Sequence, residues 1–320
     1  MNEHPVADAQ PSFVDPADAR LMRVATVAST ATAVLLILVK FVAWVATGSL
    51  ALMGSLVDSA LDAAASLVNL MAVRQALQPA DRDHRFGHGK AESVAGLAQS
   101  AFIGGSAVFL AMEAVQRLAS PRAVANDAAG LGVMAFAMAA TGALVTFQRH
   151  VVRRTHSLAI SADLAHYIGD ILVNGSVIVA FLLNRLMGWV WVDAIFALGI
   201  SAYLAWNAWS VGNTAFDQLM DREMAEEERE RICRLVLEDA GSLALHDLRT
   251  RISGPRTFIQ LHLEVDGRMS LCDAHRIAER VETLLMRTYP ASEVIVHLDP
   301  VGDFADIGKA PVDDRQVSPN

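Results

Sequence analysis

Asp58 and Asp62 stand four residues apart inside one apolar run, GSLVDSALDAAASLVN, and His166 and Asp170 stand four apart inside another, around HYIGD. Side chains at i and i+4 share one face of a helix, so each pair is aimed at one place. Three carboxylates and one imidazole are enough to hold a divalent ion tetrahedrally. The imidazole shifts preference toward Zn²⁺ and similar transition metals and away from Mg²⁺ or Ca²⁺, which favour all-oxygen shells; softness alone does not separate Zn²⁺ from Cd²⁺, Co²⁺ or Fe²⁺. These groups must lose protons to bind metal, so metal and protons compete for one place, and a site that alternated its exposure would exchange metal for H⁺. Ionised groups in hydrocarbon are costly, which makes an intramembrane cluster a functional hypothesis by default. An interfacial Asp, a helix cap or a satisfied core His explains one such residue, but not two matched pairs. Asp163, one turn before His166, reads as lining the cytoplasmic approach and not as part of the shell.

Two further clusters carry ligand-type side chains. Asp81, His84 and His88 lie in a compact polar loop, QPADRDHRFGHGK, at spacings compatible with a second metal site on a turn; the alternative is a set of solvated polar residues. Toward the C-terminus, His246 and His262 fall on two expected strands, His275 on the following helix, and His297 and Asp299 at the end of a last strand. Five such groups in so small a module invite a cytoplasmic metal site, binuclear if Asp299 bridges; the alternative is imidazoles that cap strands and helices.

The elements that must position these groups follow from the apolar runs. Spans are expected over about 21–46, 50–77, 92–118, 128–151, 157–187 and 189–214, which makes a six-helix transmembrane domain within 21–214. Lys40, near the far end of the first run, is long enough to snorkel to the interface. Thr47, Gly48 and Ser49 make a tight return. The loop between spans two and three carries Arg74, Arg82, Arg85 and Lys90, and that between four and five Arg149, Arg153 and Arg154, against only Arg117, Arg122 and Arg185 on the other side. Cytoplasmic loops hold the basic excess, so both termini are expected in the cytoplasm. On that orientation Asp58 lies roughly 15 Å below the outer face, and His166 about 14 Å in from the cytoplasmic one. Across a hydrocarbon core about 30 Å thick, both pairs arrive near the midplane.

After Asp221 the pattern changes to that of a soluble module. A helix is expected over 224–237, strands over 244–252 and 257–265, an amphipathic helix over 272–288 and a short strand over 293–298. The order α-β-β-α-β describes an α+β open-faced sandwich with its helices on one side. Residues 1–20 and 301–320 are polar and proline-containing, and read as a disordered lead and tail around a cytoplasmic domain at 215–300. The lead does not resemble a cleaved signal peptide.

Composition agrees. With 53% hydrophobic and 19% charged residues the chain is too apolar for an ordinary soluble domain, and its net charge of −9 offers no basic stripe for nucleic acid. Cys233 and Cys272 form no CxxC and are expected as free thiols.

Taken together, the Asp pair of span two, QPADRDHRFGHGKAES, HYIGD, LMDRE and HDLRTR…FIQLHLE…VIVHLDP resemble the cation diffusion facilitator family, in particular its bacterial YiiP/FieF branch, over about 21–300. The resemblance implies a homodimer in the bacterial inner membrane, each copy with six helices and a ferredoxin-like cytoplasmic domain, exporting divalent metal against protons. On it Asp58, Asp62, His166 and Asp170 are the transport site, and Asp81, His84 and His88 the loop site. His246, His262, His275, His297 and Asp299 are the metal sites of the dimerisation domain, and Lys90 and Asp221 a charge interlock. Leu298 stands where relatives often have Gln, and Ala165 where they can carry a bulkier residue beside the site's His. A sensor or passive channel, and an intramembrane metalloenzyme, are the other classes; the chain has no HExxH helix and no spare carboxylate placed as a general base.

Overall fold

The computed structural model describes residues 15–48, 50–119, 128–189, 191–238 and 241–301. The chain divides into two compact units, a helical one over Pro16–Asp217 and a C-terminal one beginning at Gln218.

Among the described residues, six long helices make the first unit: α1 Pro16–Thr47, α2 Leu50–Ala76, α3 Lys90–Ala119, α4 Ala128–Thr155, α5 Leu158–Met187 and α6 Val192–Leu219. The first starts upstream of the apolar run expected from the sequence. Proline is well suited to a first helical position, where its missing N–H costs nothing, and Asp18 in the first turn complements the helix dipole. At the other end Gly48, at φ 66°, closes the helix by donating its N–H to the Trp44 carbonyl. Ser157 caps α5 by accepting from the Ile160 N–H, and Gly188, at φ 72°, ends it. Among the described residues α1, α2, α3, α5 and α6 are long and apolar enough to cross a membrane. The apolar part of α4 stops at Phe147, because Gln148, Arg149, His150, Arg153 and Arg154 follow.

The packing is that of a lipid-facing bundle. Large apolar side chains such as Leu61, Phe109, Trp206 and Trp209 point outward, whereas small and hydroxylated ones, among them Ala25, Ser29, Ala33, Ala65, Ser66 and Ala107, are buried between helices. Small residues let backbones approach closely where lipid removes the usual hydrophobic drive. Helix α1 packs on α2 and α4, α5 on α3 and α4, and α2 on α3 and α5. Leu204 of α6 joins Ile103, Ala107 and Ala165 in one cluster.

The second unit is α7 Glu226–Leu237, β1 Ala244–Ser253, β2 Arg256–Asp266, α8 Leu271–Thr288 and β3 Ser292–Val301. The strands form one sheet in the order β1-β2-β3, β1 antiparallel to β2 and β3 parallel to it. Gly254, at φ 57°, supplies the left-handed residue of the β1–β2 turn. Ile259, Leu261, Leu263 and Val265 of β2 pack against Ile232 and Val236 of α7 and Ile277, Val281 and Leu285 of α8. Each such side chain contributes about 1.5–3 kcal/mol on burial. Residues alternate across a strand, so this arrangement leaves His262 and Glu264 on the face away from the helices. Leu298 packs on the apolar side with this core. Cys233 is half-buried, Cys272 exposed, and both are free thiols.

Candidate metal sites

Two antiparallel spans bring the first cluster together. Across α2 and α5 the His166 Nε2 lies 3.0 Å from Asp62 Oδ1, and within α5 it lies 3.7 Å from Asp170 Oδ2. One donor atom from each of Asp62, His166 and Asp170 falls within 4.8 Å of the other two. Ligand bonds to Zn²⁺ are about 2.0–2.2 Å long, which puts two donors of one ion at most about 4.4 Å apart, so a slight closing of these side chains brings the three onto one ion. Asp58, one turn before Asp62, stays outside that group and is exposed. Gly169 sits between His166 and Asp170 and faces α6, where an added Cβ would stand 2.6 Å from Leu204 Cδ2. The glycine thus leaves room for the Leu204 side chain of α6 against the helix that carries two of the donors.

The loop cluster is organised by Asp81. Its Oδ1 accepts from the backbone N–H groups of Asp83 and His84, while the His84 Nδ1 lies 3.2 Å from Oδ1 and the His88 Nε2 3.3 Å from Oδ2. The His84 N–H bond, ahead of the other contacts, holds the carboxyl below its ordinary range. Asp81, His84 and His88 form a second group with donors within 4.8 Å.

In the C-terminal unit the strand register sets His246 opposite His262, and His262 opposite His297, in one row across all three strands. Asp299, two residues beyond His297 on β3, stands beside that row, opposite Glu264. Its Oδ2 lies 2.9 Å from His262 Nδ1 and 3.1 Å from His246 Nε2, and its Oδ1 lies 3.4 Å from His297 Nε2. One carboxylate therefore faces three imidazoles with both oxygens. Burial pushes the Asp299 carboxyl up, but the His262 hydrogen bond and the three imidazoles outweigh it and hold the group below its ordinary value. His246, His262 and Asp299 make the third group with donors within 4.8 Å. His275, exposed on α8 beside Glu279, lies outside it. Asp221 accepts from Arg251.

Both units match one family. The model of the cation efflux transmembrane domain fits residues 26–220, and that of the cation efflux protein cytoplasmic domain fits residues 224–301. The chain belongs to the cation diffusion facilitator family. The cation-efflux pump FieF of Yersinia pestis (strain Pestoides F) is 48% identical over 287 residues, covering 90% of this chain and 95% of that one, and FieF of Yersinia pseudotuberculosis serotype IB (strain PB1/+) gives the same figures. A solved CzrB structure is 36% identical over 25% of this chain and 99% of that one, with a TM-score of 0.24. This FieF-like chain is a multi-pass membrane protein of metal-cation efflux, and not an enzyme.

Three features of this efflux protein were outside the reach of the sequence reading. Lys40 does not snorkel outward. Its Nζ donates to Ser59 Oγ at 2.6 Å and to the Ser55 carbonyl at 3.2 Å on α2, and its charge acts on Asp58, Asp62 and Asp170. A lysine seventeen residues beyond the last preceding charge, Arg23, in an apolar span is a signal in itself, since such residues generally face the bundle interior and mark an ion path. Glu92, 1% exposed, accepts from Ser157 Oγ and so ties the start of α3 to the cap of α5. Asp163 does not line an approach. It is 1% exposed, accepts from Ser29 Oγ at 2.6 Å and Gln148 Nε2 at 2.7 Å, and belongs to a network in which Ser29, Ser66 and Tyr167 share hydroxyl bonds.

Proposed function

We propose that this protein exports divalent transition metal, Zn²⁺ foremost and Cd²⁺ and Fe²⁺ as related cargo, from the cytoplasm in exchange for protons. The observation that carries the reading is the meeting of Asp62, His166 and Asp170 donors inside two apolar helices. A mixed carboxylate and imidazole shell suits Zn²⁺ better than the harder Mg²⁺ or Ca²⁺. Its ligands bind metal only when deprotonated, so protons arriving from the outer side promote release there, and their loss toward the cytoplasm restores affinity. Alternating access of α2 and α5 presents the ligands to each side in turn. A small rotation of α2 that turns Asp58 inward supplies the fourth ligand of a tetrahedral shell.

The protein acts as a homodimer in the bacterial inner membrane, with both termini cytoplasmic. The row of His246, His262 and His297 with Asp299 holds structural or regulatory Zn²⁺ in the dimerising domain, to which His275 adds a ligand in the assembled pair. Asp81, His84 and His88 hold a further ion.

Uptake into proteoliposomes under an imposed pH gradient, run in parallel with Zn²⁺, Cd²⁺, Fe²⁺ and Mn²⁺, tests the transport reading. Zn²⁺ flux is expected to follow the gradient and to vanish in Asp62→Ala. Full proton-coupled flux in Asp62→Ala would sink the site assignment; flux indifferent to the gradient would make the protein a passive channel.

A further inference from the structure

Two buried acceptors at Asp163 and its neighbour Gln148 have no donor. Asp163 Oδ2 accepts from Ser29 and Gln148, but Asp163 Oδ1 has no partner. Gln148, 0% exposed on α4, donates through Nε2 to that Oδ2, and its own Oε1 has no partner either. The two orphan atoms therefore belong to side chains that are already bonded to each other. Buried polar atoms are almost always paired, and an unpaired one is costly. As an ionised carboxylate Asp163 can only accept, and the amide oxygen of Gln148 can only accept, so the ionised form leaves both unsatisfied. A single proton on Oδ1 resolves both. Asp163 Oδ1–H then donates to Gln148 Oε1 while Gln148 Nε2–H donates to Asp163 Oδ2, a closed two-bond ring between a carboxylic acid and a carboxamide.

The pair stands close to the metal ligands without touching them. Asp163 is one turn from His166 on the same face of α5, and its hydrogen bonds go to Ser29 and Gln148, not to Asp62, His166 or Asp170. The groups facing it are neutral from α1, where Ser29 bonds it, and from α4, where Gln148 does. The charges it feels are those of His166 and Asp170 on its own helix and Asp62 on α2, and the Tyr167 phenol reaches it through the Ser29 and Ser66 hydroxyls. An arriving dication adds two positive charges about one helical turn away, which favours the ionised carboxylate.

We propose that Asp163 is a proton-binding site separate from the metal ligands: it holds a proton in the metal-free protein, paired with Gln148, and gives that proton to solvent when a divalent cation binds Asp62, His166 and Asp170. The displaced proton adds to those lost by the ligands themselves, so one step of metal binding is linked to a group that never contacts the metal. The inference rests on the exchange reading for its role, though not for its chemistry.

Infrared difference spectroscopy of the purified full-length protein in lipid, Zn²⁺-bound minus metal-free, tests it. A protonated-carboxyl carbonyl stretch is expected in the metal-free state and lost on adding Zn²⁺, shifted by ¹³C-aspartate labelling and absent in Asp163→Asn, whose amide keeps a donor toward Gln148. Calorimetry in buffers of different ionisation heat is expected to show about one proton fewer released per Zn²⁺ in Asp163→Asn, following the binding linkage. The labelled wild-type protein gives the answer even if the variant does not fold. Two results overturn the proposal: no protonated aspartate in the metal-free protein, as when a bridging water donates to both acceptors, or a protonated Asp163 that Zn²⁺ leaves unchanged. Failure of the exchange reading shows separately, as wild-type flux that ignores the pH gradient.

Discussion

Replacing Lys40 by methionine should tighten metal binding. The ammonium is bonded to Ser59, which lies one turn from Asp62 on α2. Side chains three residues apart on a helix have Cβ atoms about 5–6 Å apart, which puts the ammonium roughly 8 Å from an ion held by Asp62 and His166. At an effective dielectric of about 20, a unit charge repels a dication at that distance by about 4 kcal/mol. Relaxation and water entry remove part of this, and a residual of about 1.4 kcal/mol is already a tenfold change in affinity. Methionine keeps the length and apolar stem without the charge, and Ser59 can return its hydroxyl to the Ser55 carbonyl that Lys40 vacates. Isothermal titration of purified protein should therefore give a Zn²⁺ Kd at least about tenfold lower in Lys40→Met. Lys40→Arg, which keeps the charge, should stay near the wild type. Transport by Lys40→Met should show a lower KM and a lower maximal rate, because release is slowed. Unchanged or weaker Zn²⁺ binding in folded Lys40→Met refutes the reasoning.

Three other perturbations follow from the geometry. Asp299→Asn takes the shared carboxylate from His246, His262 and His297, and should weaken Zn²⁺ at the cytoplasmic site by more than about 100-fold while leaving gradient-driven uptake measurable, read by metal counting on dialysed protein. Burial, and then the hydrogen bond to Glu228, push the Tyr289 phenol up to about 12. A group raised in the fold stabilises fully below its unfolded value of about 10 and loses that contribution as pH climbs to the folded one. The phenolate absorbance of wild type minus Tyr289→Phe should accordingly appear near pH 12, and an ordinary midpoint near 10 would contradict the burial. Gly169→Ala forces a methyl against the end of the Leu204 side chain, and the overpacking cost of about 1–3 kcal/mol, less the roughly 1 kcal/mol that alanine gains over glycine inside a helix, should be partly relieved by Leu204→Ala. A double-mutant cycle on thermal unfolding should therefore show coupling of about 0.5–3 kcal/mol, and additivity would mean that the two helices do not press together there.

Much of this architecture is legible in the chain because lipid imposes a simple rule. A span must be apolar for some twenty residues, so helix number follows from the runs, and period-two alternation does the same for β1, β2 and β3. The pairs at i and i+4 define faces, and the structure turns the faces of α2 and α5 so that Asp62, His166 and Asp170 meet. What spacing does not carry is the rotation of each helix about its axis. That rotation leaves Asp58 outside the group and sends the Lys40 ammonium inward. Register was equally hidden: alternation puts His246, His262 and His297 on strands, but only the pairing aligns them in one row, and the bulge after His246, with Asp247 at φ 46°, is invisible in composition. The Asp163–Gln148 bond joins residues on different helices and leaves no local signature.

Anomalous diffraction at the zinc edge, on crystals of the full-length protein grown with Zn²⁺, addresses the central claim most directly. A peak is expected with His166 Nε2 and oxygens of Asp62 and Asp170 each at about 2.0–2.2 Å. Zn²⁺ bound elsewhere in the membrane region, with those three side chains facing apart in a protein that still transports, would contradict it.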